Sequence, residues 1–131
     1  MNNLKATITA LTASEHLSIL TVAVGDEPFH LLLAEASDAL IGTNVTLAFK
    51  ETEVILSKDS TTTSANCARA TVQKIESGIV LSQITLTYQE MSLIALVPTL
   101  TFNTLAIGEG DEVSWMVQPS EISLLRGTNG I

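Results

Sequence analysis

Ser14, Glu15 and His16 are the residue types of a hydrolytic triad, placed side by side. A triad is a convergence of three groups in space, and adjacency along the chain does not supply it. His16 and His30 are the only histidines and Cys67 is the only cysteine. A metal centre takes three or four converging ligands, and the sequence has no cluster of these types. Cys67 has no histidine nearby to act as a base and reads as a small packed residue. Glu109, Asp111 and Glu112 gather carboxylates without the alternating carboxylate and glycine pattern of a calcium loop, and read as a solvated turn. No catalytic residue, metal site or cofactor is expected, and nothing supports an enzyme.

The elements that could position a binding site instead are more legible. The chain has 131 residues, 46% of them apolar and only 15% charged, which describes a folded, β-rich protein. Its net charge is −8, from 14 acidic and 6 basic residues. No basic patch can form from so few scattered cations, so nucleic acid is excluded as a partner. The charge also opposes anions at long range, so an anion site must be local. One cysteine allows no intrachain disulfide and fits a reducing compartment. No apolar run reaches the ~20 residues of a membrane span, and the opening residues lack a signal peptide's apolar core. The expected location is cytoplasmic, with no membrane partner.

The sequence repeats itself. Ala6-Thr7-Ile8 and Leu17-Ser18-Ile19-Leu20-Thr21-Val22 return as Ala70-Thr71-Val72 and Leu81-Ser82-Gln83-Ile84-Thr85-Leu86. Gly42 to Lys50 matches Gly110 to Gln118, and Glu53-Val54-Ile55-Leu56 matches Glu121-Ile122-Ser123-Leu124. Feature order is kept throughout, which marks duplication of one unit. Alternation dominates: Val80, Ser82, Ile84, Leu86 and Tyr88 share one face, opposite Leu81, Gln83, Thr85 and Thr87, which is a strand's period. Strands are expected near 3–11, 16–24, 29–35, 44–50 and 53–57, and near 68–76, 79–88, 92–98, 111–118 and 120–125. Gly25 to Pro28 and Gln89 to Ser92 read as hairpin turns. The connections 35–42 and 99–110 have room for a helical turn. The expected division is a module over 1–58, a linker over 59–65, a second module over 66–125 and a tail over 126–131. A unit of roughly 60 residues is marginal alone, so each copy should lean on its twin or on another chain. The fold class is all-β, with two small barrels of the oligonucleotide/oligosaccharide-binding type in outline.

The second copy resembles a Mop module, the molybdate-binding unit of the molbindins within the wider TOBE class. The matching features are Asn66, Gly78 to Ile84, Leu93 to Val97, Leu105 to Val113 and Pro119 to Ile122, with spacing kept from Asn66 to Leu124. The first copy fits with a short deletion before Gly42, so the chain looks like a stand-alone di-Mop protein. The resemblance implies tandem five-stranded OB-like barrels that exchange a strand, assembly into a homo-oligomeric ring (a trimer foremost), and molybdate or tungstate held at module interfaces for storage or homeostasis.

A tetrahedral dianion needs backbone N–H groups, hydroxyls and a positive charge or two. The family's module opens with Ser-Ala-Arg-Asn; here the second copy has Thr63-Ser64-Ala65-Asn66, and Ala65 stands where the Arg belongs. Of the first copy's opening motif only Met1-Asn2 remains. The family's Lys before the last strand is Lys50 in the first copy and Gln118 in the second. Arg69 is four residues beyond Ala65 and should point elsewhere. His30 and Ile94 stand where the family has Thr; a protonated His30 would favour an anion. The expected pocket therefore pairs Lys50 and Thr52 with Thr63, Ser64, Asn66 or Ser120 across an interface, with Glu51 and Glu53 offsetting the lysine. A second expectation places an amide-built site around Gly78 and Ser82, or around their counterparts Ser14 and Ser18. Three functions stay open: an oxyanion-binding protein, a degenerate relative that serves as an oligomeric interaction or other small-ligand module, and a sensor subunit that reports oxyanion level to a partner.

Overall fold

The structure is a computed structural model that describes residues 1–34, 40–59 and 66–126. The expected linker and tail lie almost wholly outside the described residues, as do Thr63, Ser64 and Ala65. In chain order the elements are β1 (Asn2–Ala13), β2 (Ser18–Val24), β3 (Glu27–Leu33), β4 (Asn44–Phe49), a 3-10 turn (Glu51–Glu53) and β5 (Ile55–Ser57). There follow β6 (Cys67–Ser77), β7 (Leu81–Tyr88), β8 (Met91–Pro98), α1 (Thr99–Thr104), β9 (Glu112–Met116), a second 3-10 turn (Pro119–Glu121) and β10 (Ser123–Arg126).

The strands form two five-stranded antiparallel sheets, ordered β10-β4-β1-β2-β3 and β5-β9-β6-β7-β8. Each sheet draws four strands from one half of the chain and one from the other. β10 lies beside β4 with Leu124 opposite Leu47, and β5 lies beside β9 with Leu56 opposite Trp115.

Local chemistry explains the boundaries. Strand β7 buries Ser82, Ile84, Leu86 and Tyr88 and turns Leu81, Gln83, Thr85 and Thr87 outward, as the alternation predicts. Val80 departs from it: Gly78 N–H donates to Leu81 O at 2.9 Å, the tight turn delays the strand to Leu81, and Val80 is left 74% exposed. The ninth strand ends at Met116 rather than 118. Pro119 opens the following 3-10 turn, since it has no N–H for a ladder. Both long strands carry a register shift, between Ile8 and Ala10 and between Val72 and Lys74. Beside each shift a glycine with positive φ, Gly42 (+91°) or Gly110 (+90°), donates its N–H back to Ile8 O or Val72 O. A side chain at that φ would clash with its own backbone, so both copies keep glycine.

One hydrophobic core serves both sheets. Leu4, Leu20, Leu31 and Leu47 from the first join Ile84, Leu86, Leu93 and Val113 from the second, all fully buried. Its centre is aromatic. The Trp115 ring stacks on Phe29 (5.4 Å, 24°) and Phe49 (5.9 Å, 11°) and meets Tyr88 edge-on (5.1 Å, 74°). Phe29 and Phe49 belong to the first sheet and Tyr88 and Trp115 to the second, so the contact fastens the halves together. No helix among the described residues is long and apolar enough to cross a membrane.

Candidate functional site

The two 3-10 turns bring the candidate donors together. Lys50 follows β4 in extended backbone and caps the first turn, and it is exposed. Because β10 returns to β4, the second turn comes to lie near Lys50. A cavity of about 170 Å³ results, lined by Met1, Ala48, Phe49, Lys50, Glu53, Ser120, Glu121 and Ser123. Lys50 and Ser120, expected in one pocket, share this cavity. Among the described residues Lys50 makes no ion pair. Glu51 is engaged elsewhere: the Met1 ammonium donates to its Oε2 at 2.5 Å and holds the carboxyl below its ordinary range.

Other expected ligands are separated from Lys50. Thr52 lines a different, mainly apolar cavity of about 380 Å³, between the first 3-10 turn with β5 and β8 with α1, floored by Phe102 and Leu105. Gly78 N–H is occupied by Leu81 O, and Gly78 O accepts from Thr99 Oγ1 at 2.8 Å. Ser82 is fully buried, its hydroxyl 2.8 Å from the same Thr99 hydroxyl. The equivalent turn in the first half closes alike, with Ser14 N–H donating to Leu17 O at 2.8 Å. Ser18 is buried, so neither turn faces the Lys50 cavity.

Asn66 has a different task. It is fully buried, its Nδ2 donates to His30 O at 2.8 Å, and its Oδ1 accepts from His30 N–H at 2.7 Å. The amide thus mimics a neighbouring strand and fastens the start of β6 to β3 of the other half. Asn2 repeats the arrangement, donating to Ile94 O at 2.8 Å and accepting from Ile94 N–H at 2.9 Å. The two third-strand positions where the family has Thr, His30 and Ile94, are the two that these amides grip. The reciprocal clamp was not read from the sequence, although Asn2 and Asn66 stand at equivalent places in the repeat.

The remaining polar groups serve the frame. His30 Nδ1 lies 3.1 Å from Thr21 Oγ1. The Arg69 guanidinium donates to Lys58 O at 2.9 Å and Ser114 Oγ at 3.1 Å, away from the cavity. Asp111 accepts from Gly108 N–H and Glu109 from Ile75 N–H, as turn residues do. His16 and Glu15 are a surface pair 3.7 Å apart. The Tyr88 hydroxyl donates to Glu27 Oε1 at 2.6 Å and accepts from Gln89 Nε2 at 3.0 Å. Burial, reinforced by the adjacent carboxylate, pushes this phenol well above its ordinary range. Gln89 Nε2 also donates to Val24 O at 2.9 Å, which ties one hairpin turn to the other.

The sequence signal for Glu53, Glu121 and Ser123 as cavity residues was their alignment beside Lys50 and Gln118, but only the return of β10 sets them around one space. No protein-family model and no curated protein matches the sequence. Among solved structures, that of the cytoplasmic molybdate-binding protein ModG, with molybdate bound, is similar over 96% of each chain, with a TM-score of 0.90 and 22% identity. At that identity the likeness speaks for architecture, and this chain has the ModG fold.

Proposed function

We propose that the chain binds a tetrahedral oxyanion of the molybdate or tungstate class and performs no chemistry on it. In this reading it is built from two tandem Mop-like modules that exchange β5 and β10, and it stores or buffers the ion in the cytoplasm. The observation that carries the reading is the meeting of Lys50 and Ser120, from opposite halves of the repeat, in one cavity. The likeness to a molybdate-binding protein over nearly the whole chain supports it. So does the chemistry: an ammonium without an ion pair among the described residues, and two hydroxyls, are donors that an oxyanion accepts from.

Assembly belongs to the same proposal. Ile79 (99% exposed), Val80 (74%) and Leu100 (82%) form an apolar surface where Thr99 N–H meets Val80 O. Such a surface suits burial against further copies of the chain, a ring of three being the form proposed. Neighbouring copies would then complete the donor set around each ion.

A second reading is favoured by specific residues. Ala65 and Gln118 stand where the family has cations, and Glu53 and Glu121 line the cavity. These support a degenerate relative that has lost the ion and acts as an interaction or other small-ligand module. Calorimetric titration with molybdate, tungstate and sulfate separates the two. Trp115 gives an optical readout, because it is the only tryptophan and stacks on Phe49, which lines the cavity. Saturable binding that Lys50→Ala weakens supports the oxyanion reading. No heat and no change in emission at millimolar molybdate, between about pH 5 and 8, sinks it.

A further inference from the structure

The Lys50 cavity is not lined as a plain anion site. Its one side-chain ammonium shares the space with two carboxylates, Glu53 of the first 3-10 turn and Glu121 of the second. Both hold equivalent places in the repeat, and both point at the same small volume because β10 lies beside β4. Met1 also lines the cavity, and its ammonium is paired with Glu51, which does not. The cavity's own side chains therefore sum to one negative charge, from Lys50, Glu53 and Glu121. A fully ionised tetrahedral dianion entering here meets repulsion from two carboxylates that have no hydrogen to offer it.

One proton changes both terms. On a carboxyl, it removes a negative charge and creates an O–H donor for an anion oxygen. On the anion, it provides an O–H that a carboxylate can accept. In either case a carboxyl oxygen and an anion oxygen share one hydrogen in place of opposing lone pairs. Ser120 and Ser123 add hydroxyls that suit either arrangement without adding charge.

We infer that the Lys50 cavity binds an oxyanion only together with one proton, carried either by Glu53 or Glu121 or by the ligand itself. The inference rests on the oxyanion reading of this cavity. At neutral pH it favours inorganic phosphate in its hydrogen phosphate form over fully ionised sulfate, and it takes molybdate only with a proton on a carboxyl. It also makes the site release molybdate as pH rises. Because binding takes up one proton, affinity falls as pH rises.

The test is a calorimetric titration of the full chain with inorganic phosphate, molybdate and sulfate, repeated between about pH 5 and 8. Molybdate affinity is expected to fall by up to ~10-fold per pH unit where the one coupled proton is lost, and phosphate to bind more tightly than sulfate at pH 7. Glu121→Gln and Glu53→Gln keep the side-chain shape and remove the charge; at least one should strengthen molybdate binding at neutral pH by roughly 10-fold and flatten its pH dependence. Molybdate binding that is independent of pH and unmoved by either variant overturns the proton requirement while leaving the oxyanion reading intact. Absence of binding by any of the three anions at every pH, in the wild type and both variants, overturns the oxyanion reading and this inference with it.

Discussion

Replacing Asn66 with alanine separates a ligand from a clamp. The Asn66 amide makes two short hydrogen bonds to the His30 backbone, at 2.7 and 2.8 Å, from a fully buried position. Alanine leaves the His30 N–H and C=O without these partners. A buried donor or acceptor left unmade costs about 1–3 kcal/mol. His30 is only half-buried, so water can recover part of that, and the expected loss is about 2–4 kcal/mol for the pair. Unfolding entropy near 2.1 cal/mol/K per residue gives the 131-residue chain roughly 0.28 kcal/mol/K, so Tm should fall by about 7–14 °C. Calorimetric or circular dichroism melting measures this directly.

Asn66→Asp refines the experiment at constant volume. At neutral pH the carboxylate can accept from His30 N–H, but its second oxygen opposes His30 O. Protonation restores an O–H donor there. The folded-state pKa of the introduced acid is therefore raised above the ~3.9 of an unfolded aspartate. A raised folded pKa means that the stabilisation is fully present below the unfolded value and is lost as pH rises through the folded one. The variant should gain on the wild type as pH falls from neutral towards about 4. An alanine variant that melts within a degree or two of wild type, together with an aspartate variant with no such pH trend, would refute the clamp. A variant that kept its Tm and lost anion binding would return Asn66 to the ligand set.

Three further outcomes follow from named contacts. Tyr88→Phe removes the donor to Glu27 and one acceptor of Gln89, and should lower stability by about 1–2 kcal/mol in denaturant titration. In the wild type the raised Tyr88 pKa keeps its contribution constant below the unfolded value near 10 and diminishes it as pH rises beyond, which alkaline melting tests against the Phe variant. At Gly25, with φ of +59°, an added Cβ would sit 2.4 Å from Gln89 Oε1; Gly25→Ala should cost about 1–3 kcal/mol through backbone strain and displacement of Gln89, and an unchanged denaturation midpoint would contradict the contact. Ile79→Asp with Val80→Asp should reduce the mass seen by light scattering without lowering secondary structure, because both side chains are exposed; an unchanged mass would place the assembly surface elsewhere.

The strands were legible because each half-buried one alternates cleanly. β7 reads Leu81-Ser82-Gln83-Ile84-Thr85-Leu86-Thr87-Tyr88, with every second residue buried. The repeat supplied the pairing of features, and the resemblance to a Mop module is what places Lys50 and Ser120 in one pocket. What alternation could not reveal were tight turns that override it: Val80 fits the inner-face pattern, yet the Gly78–Leu81 hydrogen bond closes the chain before the strand starts. Asn66 is expected as a ligand because the family motif keeps an Asn there, and the sequence carries no sign of its two bonds to the His30 backbone. Thr52 sits two residues from Lys50 but faces the Phe102 cavity, because a 3-10 turn advances ~120° per residue and sends neighbours in different directions.

The reciprocal placement of β5 and β10 bears on how this chain can fold. The contacts between β4 and β10 close a loop from Val45 to Arg126, and those between β5 and β9 one from Ile55 to Met116. Neither sheet is complete from its own half, so the first must wait on the ribosome until residues 123–126 emerge. Long-range pairings of this kind raise contact order and slow the search for the native state. They also bind the two halves into one cooperative unit, because unfolding either one strips an edge strand from the other. A fragment ending near residue 58 would carry β5 with no β9 to receive it and expose β4 along a bare edge, a template for pairing with other chains. The two halves of the chain therefore make one thing that can fold, and not two.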